Sequence, residues 1–273
     1  MKTLLENDMK ITPMATGFGA LVEGIDLKEI TDHDANGLRA ALLEHGLLIA
    51  HKQNLSPQEQ ISVSETFGAL ESFPPSVAKI PGLPQIFRVA SRATDGNTDV
   101  GRYWHSDGSF KERVTPISIW YLVEQPKVGG DTLFTDLQLA YEELPAPMKT
   151  EIGQLITAHH NGIRHPLVLA HPKTKKLGIY LNVGLTGGIV GLEPDKSAML
   201  IKKLDAHFSR PGAVYTHEWQ VGDFVVADNF HVAHKATPIS AEYRRILNRT
   251  TVRSDGVRWF DKDIYVADQN VHA

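Results

Sequence analysis

The sequence predicts a mostly β protein, a barrel or sandwich with flanking helices. Two observations carry this. From residue 115 onward, β-prone apolar runs recur at Ile117–Val123, Thr132–Thr135, Ile179–Val183, Val214–Gln220, Asp223–Ala227 and Ile246–Val252. They do not alternate regularly with helices, as a doubly wound parallel sheet would require. No internal repeat or low-complexity segment is present to suggest a solenoid or a linker.

Taken in chain order, residues 10–27 read as short strands broken by Gly17, Gly19 and Gly24. Thr31 is placed to cap a helix, with Asp34 three residues on completing a capping box, and apolar Leu38, Ala41 and Leu42 keep helical spacing up to Gly46. Leu47–Ala50 is a short apolar run suited to a buried strand. Ser56 and Pro57 open a second helix that ends near Gly68. Residues 71–103 are interrupted by Pro74, Pro75, Pro81 and Pro84 and loosened by Gly82, Gly96 and Gly101, with only Gln85–Ala90 alternating like a strand. Much of 71–83 and 91–103 is therefore expected to be a mobile cover over a site. Beyond the strand at 132, Leu137–Ile156 reads as a helix interrupted at Pro145 and Pro147, and Glu193–Phe208 as another with Pro194 at its start.

Composition narrows the chemistry. In 273 residues, 28 Lys and Arg face 32 Asp and Glu, a net charge of −4, with no basic block to attract nucleic acid or an anionic membrane. There are no cysteines, which excludes disulfides, thiolate metal sites and cysteine nucleophiles. The N-terminal MKTLLENDMK lacks the apolar stretch of a secretory signal, and no apolar run approaches the roughly 18 residues of a spanning helix. A cytoplasmic protein folded as a single domain over 1–273 is the expectation.

The 13 histidines make imidazole and carboxylate the available ligands for any transition metal. Trp104-His105-Ser106-Asp107 holds the sharpest pair: on a strand, His105 and Asp107 would share a face. Alone the pair is weak, since about 1.5 His-x-acid matches arise by chance in this composition and one is found. Asp228-Asn229-Phe230-His231-Val232-Ala233-His234 offers a second imidazole, and spacing alone leaves His231 and His234 equally eligible. Two histidines and one carboxylate leave coordination positions open, as in non-haem Fe(II) oxygenases. Finally, Arg245 and Arg249 fall on one face of a β-prone stretch with Leu247; arginines turned into a barrel call for an anion, and a dicarboxylate suits them.

Together these residues resemble the TauD/TfdA family of Fe(II)/2-oxoglutarate-dependent dioxygenases. The resemblance runs from about Ile11 to Asp255 through GFGALVEGIDL from Gly17, His45-Gly46-Leu47-Leu48, Gln53-Asn54-Leu55-Ser56 and Phe67-Gly68-Ala69-Leu70. It continues through Trp104-His105-Ser106-Asp107 with Ser109-Phe110, Gly129-Gly130-Asp131-Thr132 and His171-Pro172-Lys173-Thr174. Trp219 with Gly222-Asp223, Asp228-Asn229 with His234, and Arg245 with Arg249 complete it. Each piece is short; their order is specific.

The resemblance implies a double-stranded β-helix, a cupin-like jelly roll flanked by helices. It implies that His105, Asp107 and His234 hold Fe(II), which selects His234 over His231. It implies that Thr132, Arg245 and Arg249 bind 2-oxoglutarate, with Arg249 facing either the cosubstrate or a substrate anion. The reaction implied couples O2 and the oxidative decarboxylation of 2-oxoglutarate, to succinate and CO2, to hydroxylation or a related C–H oxidation of a small anionic molecule. Tyr103, Phe73, Arg164, His165 and His231 are candidate substrate contacts, with His231 expected first to pack or hydrogen-bond near the ligands, and a homo-oligomer is common among such proteins. Taurine itself is not expected: Glu71-Ser72-Phe73-Pro74 lacks the histidine of taurine-specific members, and Gly101-Arg102-Tyr103 lacks their asparagine. The alternative is an O2-independent cupin-like metal protein that binds or isomerises a small acid.

Overall fold

Two β-sheets packed face to face bring His105, His234, Arg245 and Arg249 together around one small space. The computed structural model describes residues 9–78, 80–260 and 263–265. Most of the N-terminal stretch read as lacking a signal, residues 1–8, lies outside the described residues. Strands β1 (Lys10–Pro13) and β2 (Ala20–Glu23) form a hairpin and lead through a single 3-10 turn to helix α1 (Asp32–His45), β3 (Leu47–Ala50), α2 (Pro57–Glu65) and β4 (Gly68–Leu70). A four-residue α3 (Pro75–Ala78) and β5 (Phe87–Ala90) precede β6 (Ile117–Glu124), β7 (Thr132–Asp136), α4 (Leu137–Glu142) and α5 (Ala146–Ile152). Then come β8 (Ile156–His159), β9 (Arg164–Pro166), β10 (Val168–Ala170), β11 (Leu177–Ile179), β12 (Thr186–Ile189) and α6 (Pro194–Phe208). The chain closes with β13 (Val214–His217), β14 (Phe224–Asp228), β15 (Val232–Ala236), β16 (Ile246–Phe260) and β17 (Asp263–Tyr265).

The helix boundaries follow local chemistry. Thr31 accepts from the Asp34 amide while the Asp34 carboxylate accepts from the Thr31 amide, and Gly46 ends α1 at φ 72°. Ser56 and Glu59 repeat the capping box at α2. Each such cap contributes about 1 kcal/mol.

The large sheet runs β1-β2-β3-β14-β6-β16-β17, with β4 and β5 also paired to β16; the facing small sheet is β13-β7-β15. Both faces of the large sheet are buried at its central strands β3, β14 and β6, which is why these read as continuous apolar runs rather than as alternation. Leu48, Ala50, Ile117, Ile119, Tyr121, Phe224 and Val226 pack outward with residues of α1 and α2. Their neighbours Leu47, Ile49, Trp120, Leu122, Val225 and Ala227 point inward to meet Phe134 and Val232 of the small sheet. Helices α4, α5 and α6 cover the other side of the small sheet, with Leu137, Met148, Leu200 and Leu204 in one apolar cluster. This is the jelly-roll core with flanking helices.

Several boundaries differ from expectation. The helix expected over 137–156 is two short helices ending at Ile152, and Ile156 begins a strand. The three short strands β8, β9 and β12 form a separate sheet. Their three or four residues are too few to show a period. The strand expected at Ile179–Val183 stops at Ile179, because Tyr180 and Val183 pair singly with Leu167 and Trp104 instead of forming a ladder. In the other direction β16 overruns its expected end at Val252, being lengthened by pairing with β4 and β17.

Candidate active site

His105 and His234 lie 129 residues apart in sequence and are closed by one antiparallel bridge: His105 N–H donates to the His234 carbonyl at 3.1 Å and His234 N–H to the His105 carbonyl at 2.8 Å. His234 is on β15 of the small sheet. The His105-x-Asp107 pair is not on a strand as expected, since Asp107 opens the turn that follows the bridge. It still converges: one ligand atom each from His105, Asp107 and His234 lie within 4.8 Å of one another, all three residues buried. His105 Nε2 is 3.8 Å from Asp107 Oδ1 and His234 Nε2 is 3.9 Å from Oδ2.

The surroundings fix these groups. The Tyr103 carbonyl, 2.8 Å from His105 Nδ1, accepts its proton and leaves Nε2 with a lone pair facing the cluster. Ser118 donates to Asp107 Oδ2 at 2.8 Å, Asn229 donates to Ser118 Oγ at 3.0 Å, and Asn229 Oδ1 accepts from the Asp107 amide at 3.3 Å. Sequence reasoning gave neither Ser118 nor Asn229 a role, although a serine inside the apolar run Ile117–Val123 was a signal.

Burial alone would raise the Asp107 pKa, but Arg249, His234, His105 and the Ser118 hydroxyl outweigh it and hold the carboxyl well below the usual carboxylate range. His234 is pushed down to about 3 by burial and by its neighbour His105. Burial also lowers His105. At neutral pH the cluster thus presents two neutral imidazoles and one carboxylate, a donor set that fits Fe(II).

Two spaces adjoin the cluster. The larger, about 440 Å³, has a mostly apolar wall of Phe73, Pro74, Val77, Phe87, Val100, Tyr103 and Leu185, with the Glu71–Lys111 ion pair also lining it. The smaller, about 40 Å³, has room for the end of a small acid and is lined by Thr132, Arg245, Leu247, Trp120 and both histidines. Arg249 borders both. Its Nη1 donates to Asp107 Oδ1 at 2.5 Å, and its guanidinium carbon lies 4.4 Å from the centre of the Phe87 ring. Arg245 is 4 % exposed, and its Nε has no hydrogen-bond partner. Among the described residues no carboxylate pairs with it, and burial together with nearby Arg102 pushes it down to about 10 despite Asp131. A buried guanidinium without a counter-ion is a receptor for an anion.

The expected substrate contacts divide. Phe73 and Tyr103 line the larger space. Arg164, His165 and His231 are not among its lining residues. Arg164 is exposed on β9. His165 is buried with Nε2 2.8 Å from the Ser109 carbonyl, behind the wall. The His231 ring is turned to Asp136 at 3.2 Å and packs so closely on Gly46 that a Cβ there would stand 2.5 Å away.

Residues 10–251 match the profile of the family described as taurine catabolism dioxygenase TauD, TfdA family. The chain is 27 % identical to the (S)-phenoxypropionate/alpha-ketoglutarate-dioxygenase of Sphingobium herbicidovorans, over 90 % of this chain and 95 % of the relative. It is 28 % identical to the alpha-ketoglutarate-dependent 2,4-dichlorophenoxyacetate dioxygenase of Cupriavidus pinatubonensis, over 90 % of this chain and 98 % of the relative. Among solved structures, a taurine dioxygenase from Burkholderia xenovorans superposes with a TM-score of 0.80 at 28 % identity, covering 89 % of each chain. A structure of AAD-2 in complex with Mn(II) and N-oxalylglycine superposes with a TM-score of 0.81 at 23 % identity, over 92 % of this chain and 98 % of the other, a likeness of fold.

Proposed function

The chain belongs to the TauD/TfdA family of 2-oxoglutarate-dependent dioxygenases, and we propose that within it the protein oxidises a small monoanionic acid with an apolar, ring-sized body. The enzyme class is that of a non-haem Fe(II)/2-oxoglutarate-dependent dioxygenase, with Fe(II), 2-oxoglutarate and O2 as its requirements. The O2-independent cupin alternative is not favoured, because these relatives are named as dioxygenases.

His105, Asp107 and His234 would hold the metal, and Fe(II), when bound, couples O2 to the decarboxylation of 2-oxoglutarate and to oxidation of a C–H bond. Arg245 and Thr132 receive the distal carboxylate of 2-oxoglutarate, the role their place in the smaller space supports. Arg249 meets the substrate's anionic end at the boundary of the two spaces, while Phe73, Phe87 and Tyr103 enclose its body and exclude water. Residues within 71–78 and 91–103, which supply part of this wall, act as a cover within one domain. The observation that carries the reading is the buried triad beside Arg249 at the head of an apolar cleft. Phenoxy acids fit that cleft, and they are what two relatives are named for. Taurine fits it poorly, because the wall is aromatic and the one carboxylate lining it besides Asp107, Glu71, is already paired with Lys111. A small-molecule partner in the cytoplasm completes the reading.

The test is succinate release from 2-oxoglutarate with Fe(II) and O2, across 2-phenoxypropionate, phenoxyacetate, an alkyl sulfate and taurine. A phenoxy acid should stimulate release and taurine should not. His105→Ala and Asp107→Ala should abolish it; full turnover in both variants defeats the ligand assignment.

A further inference from the structure

Thr132, which lines the smaller space, is held from behind by a buried indole: Trp219 Nε1 donates to Thr132 Oγ1 at 2.9 Å, across 87 residues of sequence. We propose that Trp219 is a positioning residue for the cosubstrate, its indole N–H committing the Thr132 hydroxyl to donate toward the carboxylate that Arg245 receives. This rests on the reading that 2-oxoglutarate places its distal carboxylate between Thr132 and Arg245.

A threonine hydroxyl carries one proton and two lone pairs, whereas an indole N–H can only donate. Contact with Trp219 therefore consumes a lone pair and turns the hydroxyl proton elsewhere. Thr132 is buried and opens into the same space as Arg245. There its proton adds a second donor to the guanidinium, and a carboxylate, which only accepts, meets two donors instead of a donor and a lone pair. Without the indole the hydroxyl is free to rotate, and the orientation must be imposed when the ligand binds.

The indole is itself held by a dedicated arrangement. Trp219 follows β13 in the turn leading to β14, where no strand ladder fixes it. Asp223 anchors that turn: its carboxylate accepts from the Gln220 amide at 2.8 Å, lies 3.0 Å from His217 Nε2 and 2.6 Å from His51 Nδ1. The His217 ring stands edge-on to the indole with centroids 4.4 Å apart. Gly222, at φ 87°, lets the turn close where a Cβ would meet the Gln53 carbonyl at 2.4 Å. Trp219, Gly222 and Asp223, grouped in the sequence, thus work as one device that presents a single N–H to a hydroxyl on the small sheet.

The experiment is calorimetric titration of the Mn(II)-loaded protein with N-oxalylglycine, which has the distal carboxylate, and with oxalate, which lacks it. Trp219→Phe and Thr132→Val should each weaken N-oxalylglycine by about tenfold, the loss of one hydrogen bond to a charged group. Oxalate and Mn(II) affinities should be unchanged, and the double variant should match Thr132→Val within about twofold. Thr132→Ser, which keeps the hydroxyl, should bind like the parent and covers the case in which Trp219→Phe does not fold. The proposal is overturned if Trp219→Phe binds N-oxalylglycine normally, if its effect persists undiminished in Thr132→Val, or if oxalate weakens equally. An Arg245→Met variant that binds N-oxalylglycine normally would instead refute the placement of 2-oxoglutarate, separating that failure from a failure of Trp219 alone.

Discussion

Gly101→Ala asks whether the space beside His105 sets metal affinity. Gly101 sits at φ 70°, and a Cβ there would stand 2.6 Å from His105 Cε1 and 3.1 Å from Nε2. The backbone cannot withdraw freely, because the Gly101 carbonyl accepts from the Ala236 amide of β15 at 2.7 Å. Carbon contacts settle near 3.5 Å, so the ring must retreat by 3.5 − 2.6, about 0.9 Å. Metal–ligand bonds tolerate only about 0.2 Å, so His105 is taken out of register with Asp107 and His234. The left-handed backbone adds roughly 1–2 kcal/mol of destabilisation. Gly82→Ala is the control, since Gly82 has φ 77° and nothing within 4 Å of its Cβ position.

The assay pairs urea denaturation in EDTA with Mn(II) titration. Both variants should lose about 1–2 kcal/mol, but only Gly101→Ala should lose metal affinity, by about 10–100-fold, the range seen when support of a ligand is disturbed. Equal Mn(II) affinity in the two variants refutes the reasoning that ties Gly101 to His105.

Further outcomes follow from other contacts. Arg249→Met leaves the buried Asp107 carboxylate without its cation and should lose roughly 3 kcal/mol in EDTA; added Mn(II) should restore more stability to this variant than to the parent, and equal restoration argues against a shared role for the two cations. His159 is pushed down to about 4 by burial and by His165 and His160, so the unfolded chain takes up a proton near pH 6.5 that the folded one refuses. Its contribution is therefore complete above about pH 6.5 and fades as pH falls toward about 4, so denaturation midpoints should drop from pH 7 to pH 5, less steeply in His159→Gln. Thr31→Ala should lower stability by about 1 kcal/mol through the cap of α1 while leaving Mn(II) affinity unchanged.

What the sequence made legible was local. The capping boxes at Thr31 and Ser56 and the apolar runs of β3, β6 and β14 depend on neighbours a few residues away, and they stand where they were expected. Which way a side chain faces depends on tertiary pairing, so nothing in the sequence said that Arg164, His165 and His231 would stand off the larger space. Spacing left His231 and His234 equal. The structure separates them because the turn between β14 and β15 directs His231 to Asp136, while His234 bridges to His105. The hydrogen bond from Trp219 to Thr132 had no sequence signal beyond the presence of both residues.

Charge ties the two spaces to the nature of the substrate. The groups lining them carry −1 on Asp107 and +1 on each of Arg245 and Arg249, while Glu71 and Lys111 cancel. The two histidines are neutral, and Arg102 and Asp131 near Arg245 are of opposite sign. Fe(II) and the 2-oxoglutarate dianion cancel each other, so one positive charge remains for the substrate to neutralise. A monoanion closes the balance, whereas a neutral molecule leaves Arg249 uncompensated once the cleft is dry and a dianion overshoots. At an effective dielectric near 20, a unit pair at 4 Å attracts by about 4 kcal/mol before desolvation, which leaves on the order of 10–100-fold in affinity. Titrating the Mn(II)/2-oxoglutarate protein with 2-phenoxypropionate and with its primary amide measures this directly. The acid should bind more tightly by that factor, and Arg249→Met should erase the difference. An amide that binds as well as the acid would remove the case for a monoanionic substrate while leaving the metal cluster untouched.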